Sequence, residues 1–234
     1  MIAISKVSKH FEEIQALSEV NLDIATGEFI SIVGPSGCGK STLLRIIADL
    51  VDSPGTVGKP NKGAFVFQDS ALLPWRTVQR NVELLMELEG TNNKKDKART
   101  ALEQVGLTGF ENSYPHQLSG GMKMRLSLAR SLVLDPEYIL LDEPLSAVDE
   151  LTREVLQEEL YGMWARDKFT AILVTHNIAE AVYLSNKIVI MSPRPGKITD
   201  VVDIPFKKRT PDIRTKPQFS KLVNDIAGKL RTWK

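Results

Sequence analysis

Residues 34–42 read Gly-Pro-Ser-Gly-Cys-Gly-Lys-Ser-Thr, and this stretch constrains the fold more than any other part of the chain. It matches the phosphate-binding loop pattern G-x-x-x-x-G-K-[ST] at every position. The apolar run at 29–33 predicts a buried strand before the loop, and the run at 43–48 predicts a helix after it. Strand, loop and helix in this order predict an α/β fold that binds the phosphates of a nucleoside triphosphate.

Each residue type in this loop suits one part of a bound nucleotide. Lys40 should reach the β- and γ-phosphates, and the Ser41 hydroxyl should ligate Mg²⁺. The glycines should let the backbone curl so that its N–H groups point inward. The residues predicted to line this site are Gly34, Pro35, Ser36, Gly37, Cys38, Gly39, Lys40, Ser41 and Thr42.

The composition is that of a globular protein. Of the 234 residues, 42% are hydrophobic and 25% are charged, and no apolar run approaches the roughly 18 residues that span a bilayer. No secretory signal is recognisable at the start of the sequence. Cys38 is the only cysteine, which excludes an internal disulfide and suits a reducing cytoplasm. We interpret it as a small residue that fits the loop, with a redox switch as the alternative.

The charge is uneven along the chain. The net charge is +1, but residues 206–234 contain nine basic and two acidic residues. Such a segment can lie against nucleic acid or an anionic membrane, and a solvated helix face explains it equally well.

Strands and helices alternate along most of the sequence, which predicts a largely parallel sheet. Further strands are predicted at 64–67, 138–141, 171–174 and 187–191. Residues 78–133 are mostly helical in pattern, with predicted helices at 94–106 and 121–134. A helical block is therefore expected to be inserted into an α/β core.

Polar residues follow three of the predicted strands. Asp142 and Glu143 come after the strand at 138–141, so Asp142 could hold Mg²⁺ and Glu143 could polarise an attacking water as general base. Gln68 could orient water or Mg²⁺, and His176 could contact the γ-phosphate. Because the carboxyl ends of parallel strands meet at one edge of a sheet, these side chains are expected to converge on the loop.

A second anion site is predicted at the start of another helix. Ser119 is a suitable N-cap, and Gly120 and Gly121 leave backbone N–H groups bare at the positive end of that helix.

These motifs, in this order, resemble the ATP-binding subunit of an ABC transporter over essentially the whole chain. The matching segments are the phosphate loop at 34–42, the Q-loop glutamine Gln68, the signature Leu118-Ser119-Gly120-Gly121-Met122, the Walker B end Asp142-Glu143-Pro144, the D-loop Ser146-Ala147-Val148-Asp149 and the switch histidine His176. Phe11 lies where the family places an aromatic residue that stacks on adenine. The sequence departs from the family at Met124, where glutamine is usual, at Asp49, where glycine is usual, and in the short segment 50–68, which puts the edge of a small antiparallel sheet in doubt.

The resemblance implies a P-loop NTPase (RecA-like) α/β core with a small antiparallel β part and an inserted α-helical subdomain. It implies one domain over 1–234, with the core at 1–76 and 137–205, the helical subdomain at 77–136 and a basic segment at 206–234. It also implies that two copies of the chain hold ATP and Mg²⁺ between them. The signature of one copy would then close on the γ-phosphate held by the other, and Asp149 would pass contacts across the interface.

The implied partners are a separate integral-membrane permease and, indirectly, a solute-binding protein. The chain would then be cytoplasmic and peripheral on the inner face of the membrane, with no nucleic acid partner. Residues 70–76 and 192–198 resemble the nitrate/sulfonate/taurine branch of bacterial importers. Two other functions stay open from the sequence: a soluble ABC-type ATPase acting on nucleic acid or the ribosome, and a nucleotide-gated interaction subunit.

Overall fold

The computed structural model describes residues 1–232. Short 3₁₀ turns at Pro115–Gln117 and Pro211–Thr215 accompany the regular elements. In chain order the strands and helices are β1 (Ile2–Phe11), β2 (Ile14–Ile24), β3 (Phe29–Val33), α1 (Lys40–Ile47), β4 (Thr56–Gly58), β5 (Gly63–Val66), α2 (Val78–Leu88), α3 (Lys94–Gln104), α4 (Gly120–Leu132), β6 (Tyr138–Asp142), α5 (Glu150–Asp167), β7 (Thr170–Val174), α6 (Ile178–Leu184), β8 (Lys187–Met191), β9 (Ile198–Asp203) and α7 (Pro217–Arg231).

The main sheet has the strand order β5-β6-β7-β3-β8-β9. The first five strands run parallel, and β9 pairs antiparallel with β8. Its central strands are apolar runs because both faces of the sheet are covered. Ile30 and Ile32 face one core cluster, whereas Phe29 and Val33 face the other. The predicted α/β class and parallel sheet are confirmed.

A second sheet, β2-β1-β4, packs with α1 on one face of the main sheet. The sequence pattern did not reveal β1 and β2. Their pairing is interrupted by register shifts, and Lys6 and Glu19 have φ of 51° and 47°. These irregularities break the period-2 alternation by which a strand is recognised in a sequence.

The segment 50–68, although short for the family, still contains a strand at the edge of the second sheet. β4 has only three residues, yet it pairs antiparallel with Ala3, Ile4 and Ser5 of β1. Asp49 occupies the left-handed conformation, with φ of 57°, at the position where the family has glycine. Aspartate tolerates this conformation better than most residues, and its carboxylate pairs with Lys59 Nζ at 2.5 Å.

Helices α2, α3 and α4 pack against one another. Polar side chains of α2 and α4 also hold the segment that follows Gln68 by hydrogen bonds. The fully buried Asn81 side chain accepts a hydrogen bond from Leu73 N at 2.8 Å and donates to three carbonyls of residues 73–77. Arg130 on α4 donates to the carbonyls of Ala71 and Ser70 at 2.7 and 2.8 Å. The 70–77 loop is thus held at both ends.

The predicted element bounds need small corrections. Helix α1 begins at Lys40 rather than at 43, and α4 spans Gly120–Leu132 rather than 121–134. Strand β5 ends at Val66 and β7 at Val174, so Gln68 and His176 lie two residues beyond their strands. Gly106 has φ of 67° just past α3, as expected for a helix-ending glycine.

The C-terminal segment packs on the core through its apolar residues, while six of its eight described basic residues are exposed, as a solvated helix face predicts. Phe219 and Ile226 of α7 are buried. Arg209 is also buried and donates to the carbonyls of Tyr183, Ser185 and Phe206. Arg214 lies over the Tyr183 ring at 3.7 Å and bonds Glu158 at 2.8 Å. Lys234, one of the basic residues counted, lies outside the described residues.

None of the helices within residues 1–232 combines the length and apolar character needed to cross a membrane.

Phe219→Ala tests whether α7 stabilises the fold. Removing this buried ring, which stacks on Phe206, should lower the free energy of unfolding by about 3–5 kcal/mol, measured by urea denaturation. The neighbouring exposed Gln218→Ala is the control and should change it by less than about 0.5 kcal/mol. Equal stability of the two variants would show that α7 is not part of the cooperative unit.

Candidate functional site

The carboxyl ends of five parallel strands lie along one edge of the main sheet. In the order of the strands this edge carries Gln68 after β5, Asp142 and Glu143 at the end of β6, His176 after β7, the phosphate loop after β3 and the turn 192–197 after β8. The edge is where open α/β sheets bind ligands. The topology therefore gathers five separated sequence motifs along one edge.

The glycines of the phosphate loop serve two different purposes. Gly37 and Gly39 have φ of 73° and 104°, a conformation that other residues rarely adopt. Gly34 does not, but a Cβ there would lie 2.8 Å from the Met191 carbonyl oxygen. The expectation that all three glycines curl the backbone is therefore wrong for Gly34, which instead permits close packing against β8.

Lys40 is the first residue of α1, and its side chain lies across the loop. Its Nζ donates to the carbonyls of Gly34 and Pro35, each at 2.9 Å, and the residue is only 6% exposed. The ammonium is thereby held at the concave side of the loop, beside the positive end of a helix. This combination suits the phosphate chain of a nucleotide.

The side chain of Cys38, within the phosphate loop, is buried. Its Sγ lies 3.9 Å from Lys40 Nζ, and burial raises the pKa of the thiol although the lysine acts in the opposite direction. A protonated, buried thiol reacts poorly with oxidants. The geometry favours the interpretation of Cys38 as a small residue that fits.

Ser41 and Asp142 form a pair of oxygen ligands. Ser41 Oγ donates to Asp142 Oδ1 at 2.7 Å, and Asp142 is 3% exposed. Burial raises the pKa of Asp142, while the Ser41 hydroxyl lowers it. Within the described chain no group of three His, Cys, Asp or Glu residues could hold a metal by itself. The pair fits Mg²⁺, which commonly takes one or two protein oxygens together with water and substrate phosphates.

Glu143 and His176 contact each other at the next position along the edge. His176 Nδ1 lies 2.9 Å from Glu143 Oε2, and the imidazole is 63% exposed against 22% for the carboxylate. Glu143 has φ of 46°, and its N–H donates to the Val174 carbonyl at 2.9 Å. A strained backbone that neighbouring strands hold in place is typical of functional sites.

Sequence reasoning missed Glu180 of α6, which lies behind this pair. Thr175 Oγ1 donates to Glu180 Oε2 at 2.5 Å and accepts from Asn177 N at 3.0 Å, while Asn177 Oδ1 accepts from Glu180 N at 3.0 Å. This ring of bonds fixes the loop that carries His176. Burial raises the pKa of Glu180 to about 7, opposed by Thr175, Arg153 and His176. The only indication of a buried carboxyl in the sequence is that the acidic Glu180 lies within the otherwise apolar run 178–182.

Phe11 and Ile14 form an exposed apolar face at the β1–β2 turn. They are 47% and 54% exposed and are paired across the two strands. Together with the phosphate loop, Glu143 and Arg194 they line a cleft of about 380 Å³. Phe11 therefore lies where it could stack on a base whose phosphates occupy the loop. Arg194 was not predicted as a site residue.

The predicted second anion site lies elsewhere. Ser119 Oγ accepts from Met122 N at 3.3 Å, which confirms the N-cap. A Cβ on Gly121 would lie 3.0 Å from Thr152 Cγ2, so α4 packs closely on α5 here. In residues 1–232 no hydrogen bond or ion pair joins 119–121 to the phosphate loop.

Three other positions singled out in the sequence are Asp149, Gln68 and Met124. Asp149 caps α5 by accepting from Thr152 N at 3.0 Å, and hydrogen bonds from Thr152 lower the pKa of its carboxyl. Gln68 is exposed, and no hydrogen bond within the described residues joins its side chain to the other candidates. Met124 is buried among the apolar residues of the helical block.

Comparison with known proteins gives consistent matches. Residues 17–146 match the family described as ABC transporter. An uncharacterized ABC transporter ATP-binding protein of Methanocaldococcus jannaschii is 44% identical over 98% of this chain and 91% of its own length. The aliphatic sulfonates import ATP-binding protein SsuB of Bacillus cereus is 45% identical over 86% of this chain and 85% of its own.

Solved structures resemble the chain as well. A dimeric structure of a post-hydrolysis state of the ATP-binding cassette MJ0796, bound to ADP and Pi, has a TM-score of 0.77 at 33% identity. It covers 88% of this chain and 100% of that one. A second dimeric structure of MJ0796, a bacterial ABC transporter cassette, has a TM-score of 0.78 at 32% identity with the same coverage. These likenesses confirm the predicted P-loop NTPase fold.

Glu180→Gln should alter how stability depends on pH. Between about pH 4.5 and 7 the folded carboxyl keeps a proton that the unfolded chain has released, so stability falls as pH rises, by up to about 3 kcal/mol in total. The neutral amide removes this slope. The stability of the variant relative to the original protein should therefore increase from pH 5 to pH 8 in urea titrations.

The exposed Glu13→Gln is the control for this titration and should show no such trend. A constant difference between Glu180→Gln and the original protein across pH 5–8 would rule out the raised pKa.

Proposed function

The chain belongs to the ABC transporter family as an ATP-binding, ATP-hydrolysing subunit, and on that premise we propose that it powers uptake of an aliphatic sulfonate or a related small anion through a separate membrane permease. The observation that carries the solute class is the 45% identity to the aliphatic sulfonates import protein SsuB. The sequence segments 70–76 and 192–198 support the same branch.

Binding of ATP is assigned to the phosphate loop and the β1–β2 turn. The backbone N–H groups of residues 34–42 and the Lys40 ammonium hold the phosphates, while Phe11 stacks on the adenine. Ser41 and Asp142, with Gln68, hold Mg²⁺, which when bound neutralises part of the phosphate charge. The existing 2.7 Å contact between Ser41 and Asp142 supports this assignment.

Hydrolysis is assigned to the pair of Glu143 and His176. The Glu143 carboxylate polarises a water molecule and takes its proton as general base. His176 Nδ1 lies 2.9 Å from Glu143 Oε2, and we assign its other ring nitrogen, Nε2, to a γ-phosphate oxygen. The bonds among Thr175, Asn177 and Glu180 keep the histidine loop in place for this role.

A second copy of the chain completes the site. Ser119, Gly120 and Gly121 present the positive end of α4, and no bond in the described chain brings them to its own phosphate loop. We assign them to the γ-phosphate held by the other copy, with Asp149 at the interface. The dimeric state of the similar cassette MJ0796 supports this arrangement.

The permease is expected to dock beside the helical block. Trp75 is 72% exposed on the 70–77 loop, which Asn81 and Arg130 hold rigidly. Ala71 of the same loop lines a groove of about 460 Å³, together with Phe65, Phe67 and Leu85 among others. An exposed indole and an apolar groove that share one loop suit a helix of a membrane protein. The solute-binding protein would act only through the permease, and the subunit would lie on the cytoplasmic face.

Uptake by the complete transporter tests this function. The chain is co-expressed with a candidate permease, and the complex is reconstituted into vesicles with ATP on the side of the ATPase. We expect ATP-dependent accumulation of a labelled alkanesulfonate in preference to nitrate. Preference for nitrate would overturn the sulfonate assignment, whereas no stimulation of ATPase by the permease would contradict transport.

Glu143→Gln is the matched control in that assay. The amide retains the size of the side chain but accepts a proton poorly, so hydrolysis should fall by at least about 10²-fold while ATP binding persists. Normal turnover in this variant would refute the general-base assignment.

A further inference from the structure

We propose that Arg194 is a nucleotide-binding residue, whose guanidinium contacts the phosphate chain of bound ATP while its Nε donates to the Gly37 carbonyl of the phosphate loop. The inference rests on the proposed ATP site and adds to it a residue that neither the motifs nor the comparisons assign. Four observations support it: the anchoring of its turn, its contact with Gly37, its charge and its place in the cleft.

The turn that carries Arg194, residues 192–197, is hydrogen-bonded to strand β2, which lies beside the candidate nucleotide cleft. It follows β8, the neighbour of β3 in the sheet. Gly196 N donates to the Ala16 carbonyl at 2.9 Å, and Ser18 N donates to the Gly196 carbonyl at 3.1 Å. The turn is thereby paired with β2, the strand that carries Ile14.

The same turn also touches the phosphate loop directly. A Cβ on Gly196 would lie 2.1 Å from the Cys38 carbonyl oxygen, so the two backbones are in contact and only glycine fits there. Ser192 Oγ accepts from Lys197 N at 3.0 Å, which closes the turn on itself. Arg194 therefore projects from a fixed backbone and not from a loose loop.

The guanidinium lies on Gly37. Arg194 Nε donates to the Gly37 carbonyl at 2.9 Å, and a Cβ on Gly37 would lie 2.8 Å from Arg194 Nη2. A side chain on Gly37 would displace this guanidinium, and the φ of 73° independently favours glycine there. The Nε bond uses one donor and leaves the Nη groups for a ligand.

Nothing negative in residues 1–232 neutralises this arginine. No carboxylate within the described chain forms an ion pair with it, in contrast to Arg125, Arg153 and Arg214. It lines the same cleft as Phe11, Lys40 and Ser41. A guanidinium is well suited to phosphate oxygens, which it can bind through two parallel hydrogen bonds.

Nucleotide affinity tests the proposal. We measure dissociation constants for ATP, ADP and adenosine by calorimetry for the original protein, Arg194→Ala and Arg194→Lys. Arg194→Ala should weaken ATP and ADP binding by about ten- to a hundredfold, the range for a lost charge-assisted hydrogen bond, and should leave adenosine binding unchanged. Arg194→Lys should recover part of the loss, and raising the salt concentration should weaken ATP binding less steeply in Arg194→Ala.

Two controls separate this proposal from its alternatives. Lys197→Ala removes a positive charge from the same turn but outside the cleft, and should leave ATP affinity unchanged. If Arg194→Ala lowers only the thermal stability of the nucleotide-free protein, with no change in ATP or ADP affinity, the arginine is merely a structural contact and the proposal is overturned.

Lys40→Ala distinguishes failure of this inference from failure of the proposed function. If Lys40→Ala weakens ATP binding and Arg194→Ala does not, only the role of Arg194 is refuted. Unchanged ATP affinity in both variants would refute the ATP site itself.

Discussion

Close contact between backbones around the phosphate loop is the constraint on which the rest of the structure depends. Gly34 packs on the carbonyl of Met191, Gly39 packs on Ala16 and Leu17, and Gly196 packs on the carbonyl of Cys38. A Cβ at any of these glycines would collide with a neighbour. The phosphate loop is therefore packed closely between the end of β8 and strand β2. This packing places Phe11, Lys40 and Arg194 around one cleft.

The strand order then distributes the chemistry. Strand β7 is the neighbour of β6, so His176 after β7 contacts Glu143 after β6. Asp142, the last residue of β6, accepts a hydrogen bond from Ser41, which follows β3. The two carboxylates at the end of β6 thus contact separate partners, and the proposed function assigns Asp142 to a cation and Glu143 to a water molecule. The signature glycines lie on α4 against α5, away from this edge. In the proposed function each of these two places is therefore half of an anion site, which makes association of two copies part of the proposed chemistry.

Much of this arrangement could be predicted from the sequence because apolar runs and glycine patterns carry it directly. Strands β3, β6, β7 and β8 are buried on both faces, and the loop needs its glycines. The sequence could not reveal β1 and β2, whose bulges break the alternation, or the docking of Arg209 and Arg214, which read as surface charge. Glu180 and Arg194 were missed for different reasons. Glu180 is buried in a ring of hydrogen bonds with Thr175 and Asn177, and nothing in the local sequence shows that burial, whereas Arg194 bonds Gly37, which lies 157 residues away in the chain.

The proposed function depends most on each phosphate loop being half of a site that a second copy completes. Sedimentation of Glu143→Gln with saturating ATP tests it, because a site that cannot hydrolyse ATP should keep two copies together. We predict twice the chain mass of 26.0 kDa. Adding Gly120→Asp should return the protein to monomer, whereas Gly162→Asp, an exposed glycine in α5 with no close neighbour, should not. A monomer in Glu143→Gln with ATP bound, or a dimer that persists with Gly120→Asp, would contradict the composite site.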